Sequence, residues 1–418
     1  MNQKILILTV FFLLCNIATP LQASHEITFD ESENGEVVLL RNEHYLYLEA
    51  QEPIDQTTVD FVFPPLYQYQ VPFYLELFND TSEKLVSYHI ENHTYHPNKI
   101  ISFTIEPLDK DEKILLHFTC WVLVQSHSFS DLPQTVDFED YHLLPASTTI
   151  WLTQTPVVQK ENIFIKAKAR QLRGFSNNVL DYAEKIAWFI KYHRYPLFIL
   201  QLNTGLFLSQ DALTTLFING ENIGRSHLAC ALFRTFNIPA RVLLAHNDQG
   251  FWTQMHYMVE YYVPHYGWVL LDPTKGETPY TTQRQIINRY CYPSDENDTK
   301  QDYILPFMKG EERWLWTDTD AIQPYYKDCD EGSKSQMFPE GVIQDSYWNI
   351  SLAMALSAYV FNDYQKYLGM NLSGINAQYF TNATYHQRLA LEAFQQEQLE
   401  TYRSHVHHAY TNYSAIEL

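Results

Sequence analysis

The first third of the chain is a succession of short apolar runs cut by polar breaks. The runs fall at 36–40, 45–49, 59–63, 71–78, 85–90, 100–105 and 114–124, with breaks such as Asn79-Asp80-Thr81 and His96-Pro97-Asn98 between them. Strand-length segments at this spacing predict a β-sandwich over 24–150. The period then changes. Val179, Tyr182, Ala183, Ile186 and Ile190 recur every three or four residues, with Asp181, Glu184 and Lys185 on the opposite face, which predicts a helix over 178–191. Leu228, Ala231, Leu232, Thr235 and Phe236 predict a second helix over 223–236, closed before Pro239, whose ring disfavours a helical residue ahead of it. Three strand-length runs follow: 242–245, 256–263 and one ending at Asp272. The last two are joined by 264–267 at hairpin spacing. Residues 276–345 show no clear period. Helical patterns return at 347–368 and 385–410, with Gly369, Asn371, Ser373 and Gly374 between them. They predict a helical hairpin, expected to pack on the central domain.

The start of the chain has a different character. Lys4 precedes an apolar run over 5–15, and Ala23 closes a small-residue cleavage site, so 1–23 is expected to be a signal peptide. The run is shorter than the roughly 20 apolar residues that span a bilayer. Leu14 before Cys15 argues against lipid attachment. No later stretch qualifies as a membrane span, and a secreted or periplasmic protein is expected. The chain is acidic, 28 Lys and Arg against 49 Asp and Glu, net −21, which argues against nucleic acid or an anionic membrane surface as partner. The resulting division is 1–23 signal peptide, 24–150 β-sandwich-like domain, 151–300 central domain, and 301–418 C-terminal region with the helical hairpin, an α+β protein overall.

Four cysteines remain after cleavage. Cys120 in a strand run and Cys230 in a helix read as core thiols, while Cys291 and Cys329 lie in loop-like sequence and are the candidate bridge. No Cys/His spacing suits a metal and no glycine-rich loop suits a phosphate, so neither metal nor cofactor is expected. Near the end, His405 and His408 would be neighbours on a helix with His407 turned away, which reads as a solvated helix end.

The central segment carries the chemistry. Arg234, Ile238, Pro239, Ala240 and Arg241 close the second helix. His256 and Glu260 follow on one strand, and Gly267, Trp268, Asp272, Pro273 and Thr274 on the next. In this order the residues resemble the transglutaminase-like superfamily, cysteine acyltransferases and peptidases with a papain-like core. The resemblance covers about 155–280, with the helix over 178–191 as its first member. Asn237 stands where that family usually has Gly, and Met258 where it usually has Trp.

The resemblance implies a nucleophilic Cys at the start of the second helix. Counting back about 19 residues from Arg241, the spacing it implies, reaches Asn222, with Gly220 two residues earlier. An amide nitrogen shares its lone pair with the carbonyl and cannot form the thioester this chemistry needs. Cys230 would lie about 12 Å deeper by helical rise and reads as core. Ser226, one turn in and about 6 Å deeper, is the better substitute. The plain structural reading of Asn222 is a helix N-cap. The family pattern makes His256 and Asp272 a pair able to take or hold a proton, or else a His–Asp hydrogen bond kept for structure. Trp268 is expected to seal the sheet against the helix, and Gln254 to sit in a loop from which its amide could reach a ligand.

Three functions are compatible with these residues. The favoured one is a catalytically impaired pseudoenzyme that binds a peptide or glycan in the former active-site cleft. The second is an active amide or ester hydrolase, or an acyltransferase, using His256 and Asp272 with a non-thiol nucleophile. The third is a surface adhesion or spacer protein acting through its β-domain.

Overall fold

The computed structural model describes residues 34–417, apart from 68, 95–96, 128, 194–208, 219, 248–254, 282–283, 297–320 and 325–333. The expected signal peptide, Gln254 and the partner half of the candidate bridge, Cys329, lie outside the described residues.

The N-terminal part is a sandwich of two sheets. Its strands are β1 (Asn34–Ala50), β2 (Thr57–Phe63), β3 (Gln70–Leu77), β4 (Leu85–Asn92), β5 (Lys99–Ile105) and β6 (Lys113–Gln125). One sheet holds β1, β6 and β3, the other β2, β5 and β4, all antiparallel. Their facing sides meet through Phe61, Phe103 and Phe118, with Phe118 ring centroids 5.3 Å from both partners. The two runs expected at 36–40 and 45–49 are one strand. The polar stretch between them stays extended because its backbone is paired on β6, Asn42 against Cys120 and His44 against Phe118.

The central part places α1 (Ile163–Arg173), α2 (Val179–Tyr192), α3 (Ala212–Phe217) and α4 (Asn222–Thr235) beside a four-stranded sheet. That sheet runs β10 (Gln285–Cys291), β7 (Ala240–Asn247), β8 (Met255–Val263), β9 (Gly267–Leu271) in spatial order. The apolar stripe of α2 is buried from Val179 to Ile190, and the Asn178 side chain caps it by accepting from Leu180 N. Helix α4 is buried on all sides, from Ile223 through Arg234. Its end is a Schellman turn: Asn237 N donates to Arg234 O and Ile238 N to Phe233 O. Asn237 sits at φ 59, the left-handed conformation that Gly and Asn adopt at least cost.

Strands β11 (Ile322–Pro324) and β12 (Lys334–Ser346) return to the sandwich and pair with β1. The sheet expected within 24–150 is therefore completed by a segment in which the sequence shows no clear period. Helices α5 (Tyr347–Tyr367), α6 (Gly374–Gln395) and α7 (Leu399–Ser414) follow. They pack on the sandwich, not on the central domain as expected: Tyr364 OH donates to Leu75 O and Gln387 Nε2 to Phe73 O. The helix expected over 385–410 is broken at Glu397, which adopts φ 58, so α6 and α7 run antiparallel. Among the described residues no helix is long and apolar enough to cross a membrane.

Candidate functional site

The start of α4, the start of β8 and the end of β9 converge. In the sheet, Ala245 pairs with His256 and Val259 with Leu271, so His256 and the residue after Leu271 share one edge. Asn222 is the first residue of α4, and Glu221 holds the N-cap position without a side-chain cap. The Asn222 side chain is thus aimed at the sheet edge, which corrects the expectation that it caps its own helix.

The hydrogen bonds fix the polarity of the site. The Thr274 hydroxyl donates to Asn222 Oδ1 at 3.2 Å, which turns Asn222 Nδ2 towards His256 Nδ1 at 3.3 Å. An amide nitrogen only donates, so Nδ1 accepts and the ring proton lies on Nε2. That proton goes to Asp272 Oδ2 at 2.9 Å. The other carboxylate oxygen accepts from Thr274 N at 2.8 Å and Lys275 N at 3.0 Å. Burial pushes the Asp272 carboxyl up, but the hydrogen bond from His256 and those from the two backbone amides outweigh it and hold Asp272 below its ordinary range. Asp272 is fully buried, His256 nearly so, and Asn222 half-buried.

The residues around this core are buried ions with assigned partners. Arg241 pairs with Glu260 at 2.7 Å and lies over Trp268, 3.9 Å from the ring centroid. Arg234 pairs with Glu296 and also donates to Ala240 O and Thr153 O. It therefore ties the end of α4 to the start of β7. Gln210 had no motif to reveal it. Its Oε1 accepts from Glu221 N and its carbonyl from His227, which anchors the start of α4. Gly224 allows this approach, since a Cβ there would lie 2.7 Å from Gln210 Oε1.

Several expected residues lie elsewhere. The Ser226 hydroxyl donates back along the helix to Asn222 O at 3.0 Å, not to the imidazole. Cys230 is a fully buried free thiol whose pKa burial raises, as expected of core. Cys291 is not in a loop: it is buried in β10, paired with Val242. Trp268 is buried on the sheet face away from α4, in a cluster with Trp151, Leu243 and Met258. It seals that face and not the helix side, because side chains alternate along β9. A groove of 1060 Å³ between α1, α2 and 276–281 is lined by Lys168, Trp188, Phe189 and Glu277, and none of the three site residues lines it.

The transglutaminase-like superfamily model matches residues 166–273. No curated protein matches the chain. Among solved structures, one described as a "Putative Cysteine Protease" from Cytophaga hutchinsonii is 17% identical with a TM-score of 0.47, covering 74% of this chain and 91% of its own. A "putative protease" from Parabacteroides distasonis ATCC 8503 is 15% identical with a TM-score of 0.23, covering 54% of this chain and 42% of its own. The segment holding the second helix, the histidine strand and the Asp272 strand end, residues 166–273, is a transglutaminase-like core.

Proposed function

We propose that this is an exported transglutaminase-like pseudoenzyme whose cleft binds a peptide or glycan without covalent acyl transfer. The observation that supports it is the contact of 3.3 Å between Asn222 Nδ2 and His256 Nδ1. A nucleophile served by this imidazole would have to stand at residue 222, and an amide does not attack carbonyls. The Nδ1 lone pair that would draw off a proton already accepts the Asn222 N–H. Ser226 spends its hydroxyl on a backbone carbonyl, which removes the motive for a serine mechanism. Loss of the covalent intermediate forfeits most of what nucleophilic catalysis contributes.

A binding role fits the amide well. A carboxamide has two N–H donors and two acceptor lone pairs. One of each is taken by His256 and Thr274, and the half-buried side chain keeps the others for a ligand. Peptide groups and sugar hydroxyls both match that donor–acceptor pair. The test sets the purified mature protein against panels of peptide amides, esters and glycans. No turnover is expected, together with saturable binding that Asn222→Ala weakens. Turnover that His256→Ala abolishes would overturn the reading. Export is tested by N-terminal sequencing, which should begin after Ala23; an intact Met1 on protein retained in the cytoplasm would refute it.

A further inference from the structure

The fold assembles a histidine cluster that lies far apart in the sequence. His386 on α6 and His405 on α7 are separated by 19 residues, yet their Nδ1 atoms are 3.1 Å apart. His408, one turn beyond His405, stacks on His386 with ring centroids 5.0 Å apart. One ligating nitrogen from each of the three lies within 4.8 Å of the others. We propose that His386, His405 and His408 form a three-histidine site for a borderline divalent transition-metal ion, which clamps α6 to α7.

Four observations carry this. First, the Nδ1 separation approximates one edge of a tetrahedral site: zinc–nitrogen bonds of about 2.0–2.1 Å put ligand nitrogens about 3.3–3.4 Å apart. Second, His408 Nδ1 donates to Ser404 O at 2.7 Å, so its lone pair is on Nε2, and the ring is oriented by the kind of outer contact that metal-bound histidines use. Third, the scaffold is held on both sides. Gln387, beside His386, donates to Phe73 O and accepts from Tyr413 OH, which fixes α6 to the sandwich and to α7. Fourth, the rings are partly exposed, so the third nitrogen can close on an ion by rotation about the Cβ–Cγ torsion, which is broad for imidazoles. An all-imidazole set suits Zn²⁺, Ni²⁺ or Cu²⁺ and not the oxygen-seeking Ca²⁺ or Mg²⁺. Three protein ligands leave a fourth position for water. His407 points elsewhere, its ring centroid 6.4 Å from that of His408 at 70°.

The test uses the full mature chain without a polyhistidine tag, freed of metal by chelation and titrated with ZnCl₂ in a calorimeter. One ion should bind per chain. His386→Ala and His408→Ala should each weaken binding by about tenfold or more, the least that a ligand should be worth when even an outer-shell partner contributes that much. His407→Ala should bind as the parent does. Zn²⁺ should also raise the melting temperature of the parent and not of His386→Ala. Circular dichroism verifies that each variant folds, and His405→Ala gives an independent second probe of the α7 side. Binding absent from the parent, or undiminished in both His386→Ala and His405→Ala, would refute the site.

Discussion

Asn222→Cys places a thiol where the amide now meets His256 Nδ1 at 3.3 Å, on the first residue of a 14-residue helix. Two features there favour a thiolate: the positive end of the helix dipole and an imidazole anchored on Asp272. Such surroundings lower a thiol from about 8.5 to between about 3.5 and 7.5. A value of about 6.5, a shift of about 2.7 kcal/mol, raises the thiolate fraction at pH 7 from about 3% to about 75%, about 25-fold. The rate gain is smaller. Nucleophilicity falls with basicity at a Brønsted slope of about 0.4–0.5, so two units cost about eightfold and leave about threefold at pH 7. At pH 6 the same arithmetic leaves about tenfold. The midpoint of the pH profile is therefore the sharper readout than the rate at one pH.

The assay is exchange with 4,4′-dithiodipyridine from pH 4 to 9, with the parent protein as background. Cys120 and Cys230 are buried, and burial raises both thiols, so they stay silent in the folded state. The expected midpoint lies well below that of an ordinary thiol, and His256→Ala in the same background moves it back up. An exchange midpoint near about 8.5, indifferent to His256, would mean that residue 222 does not face the imidazole as a nucleophile must.

Two further outcomes follow from the same geometry. The Asp272 carboxyl is held low in the folded protein, so its contribution is complete above the unfolded value of about 3.9 and is lost as pH falls through the lowered folded value. Asp272→Asn should then cost about 1–3 kcal/mol at pH 7, with the urea unfolding curves of variant and parent converging below about pH 4; a gap undiminished at pH 3 would contradict the assignment. Asn237 holds φ 59 at the end of α4, so Asn237→Ala should cost about 1–2 kcal/mol in thermal or urea unfolding, while Asn237→Gly changes little; equal stability of the Ala variant would refute the left-handed turn.

Much of the site was legible because short-range rules govern it. Pro239, the Asn237 turn and the 264–267 hairpin each act within a few residues, and they set the ends of α4, β8 and β9. The order of the motif residues then brought Asn222, His256 and Asp272 to one edge. The misjudged parts depend on distant partners. Strand β12 has little apolar alternation of its own and is a strand because β1 offers an unpaired edge. Cys291 looked loop-like for the same reason, since β10 takes its order from β7. The break at Glu397 has no Pro or Gly to announce it, so 385–410 read as one helix. Along a continuous helix the 19 residues between His386 and His405 would span about 28 Å, and so the cluster was invisible until the chain turned back. Trp268 was placed in the core correctly but on the wrong face, because alternation alone does not say which side of a sheet faces the helix.

The hydrogen bonds at the site form a closed circuit, and this bears on why an amide is compatible with the dyad. Thr274 Oγ1 donates to Asn222, Asn222 to His256, and His256 to Asp272, whose second oxygen returns to the Thr274 backbone N–H. Every donor and acceptor in the circuit is matched when the imidazole is neutral with its proton on Nε2. A proton added at Nδ1 would meet the Asn222 N–H group head-on. Accepting it requires the amide to turn over and the Thr274 hydroxyl to reverse its direction as well. A thiol at residue 222 has no such constraint, because it surrenders its only proton to Nδ1 and becomes the acceptor itself. The substitution thus leaves the scaffold intact: the Arg234–Glu296 and Arg241–Glu260 pairs and the amides on Asp272 make no use of residue 222. With Asn222 in place the imidazole is one link in a chain of hydrogen bonds; with a thiol there its Nδ1 would face a proton it could accept.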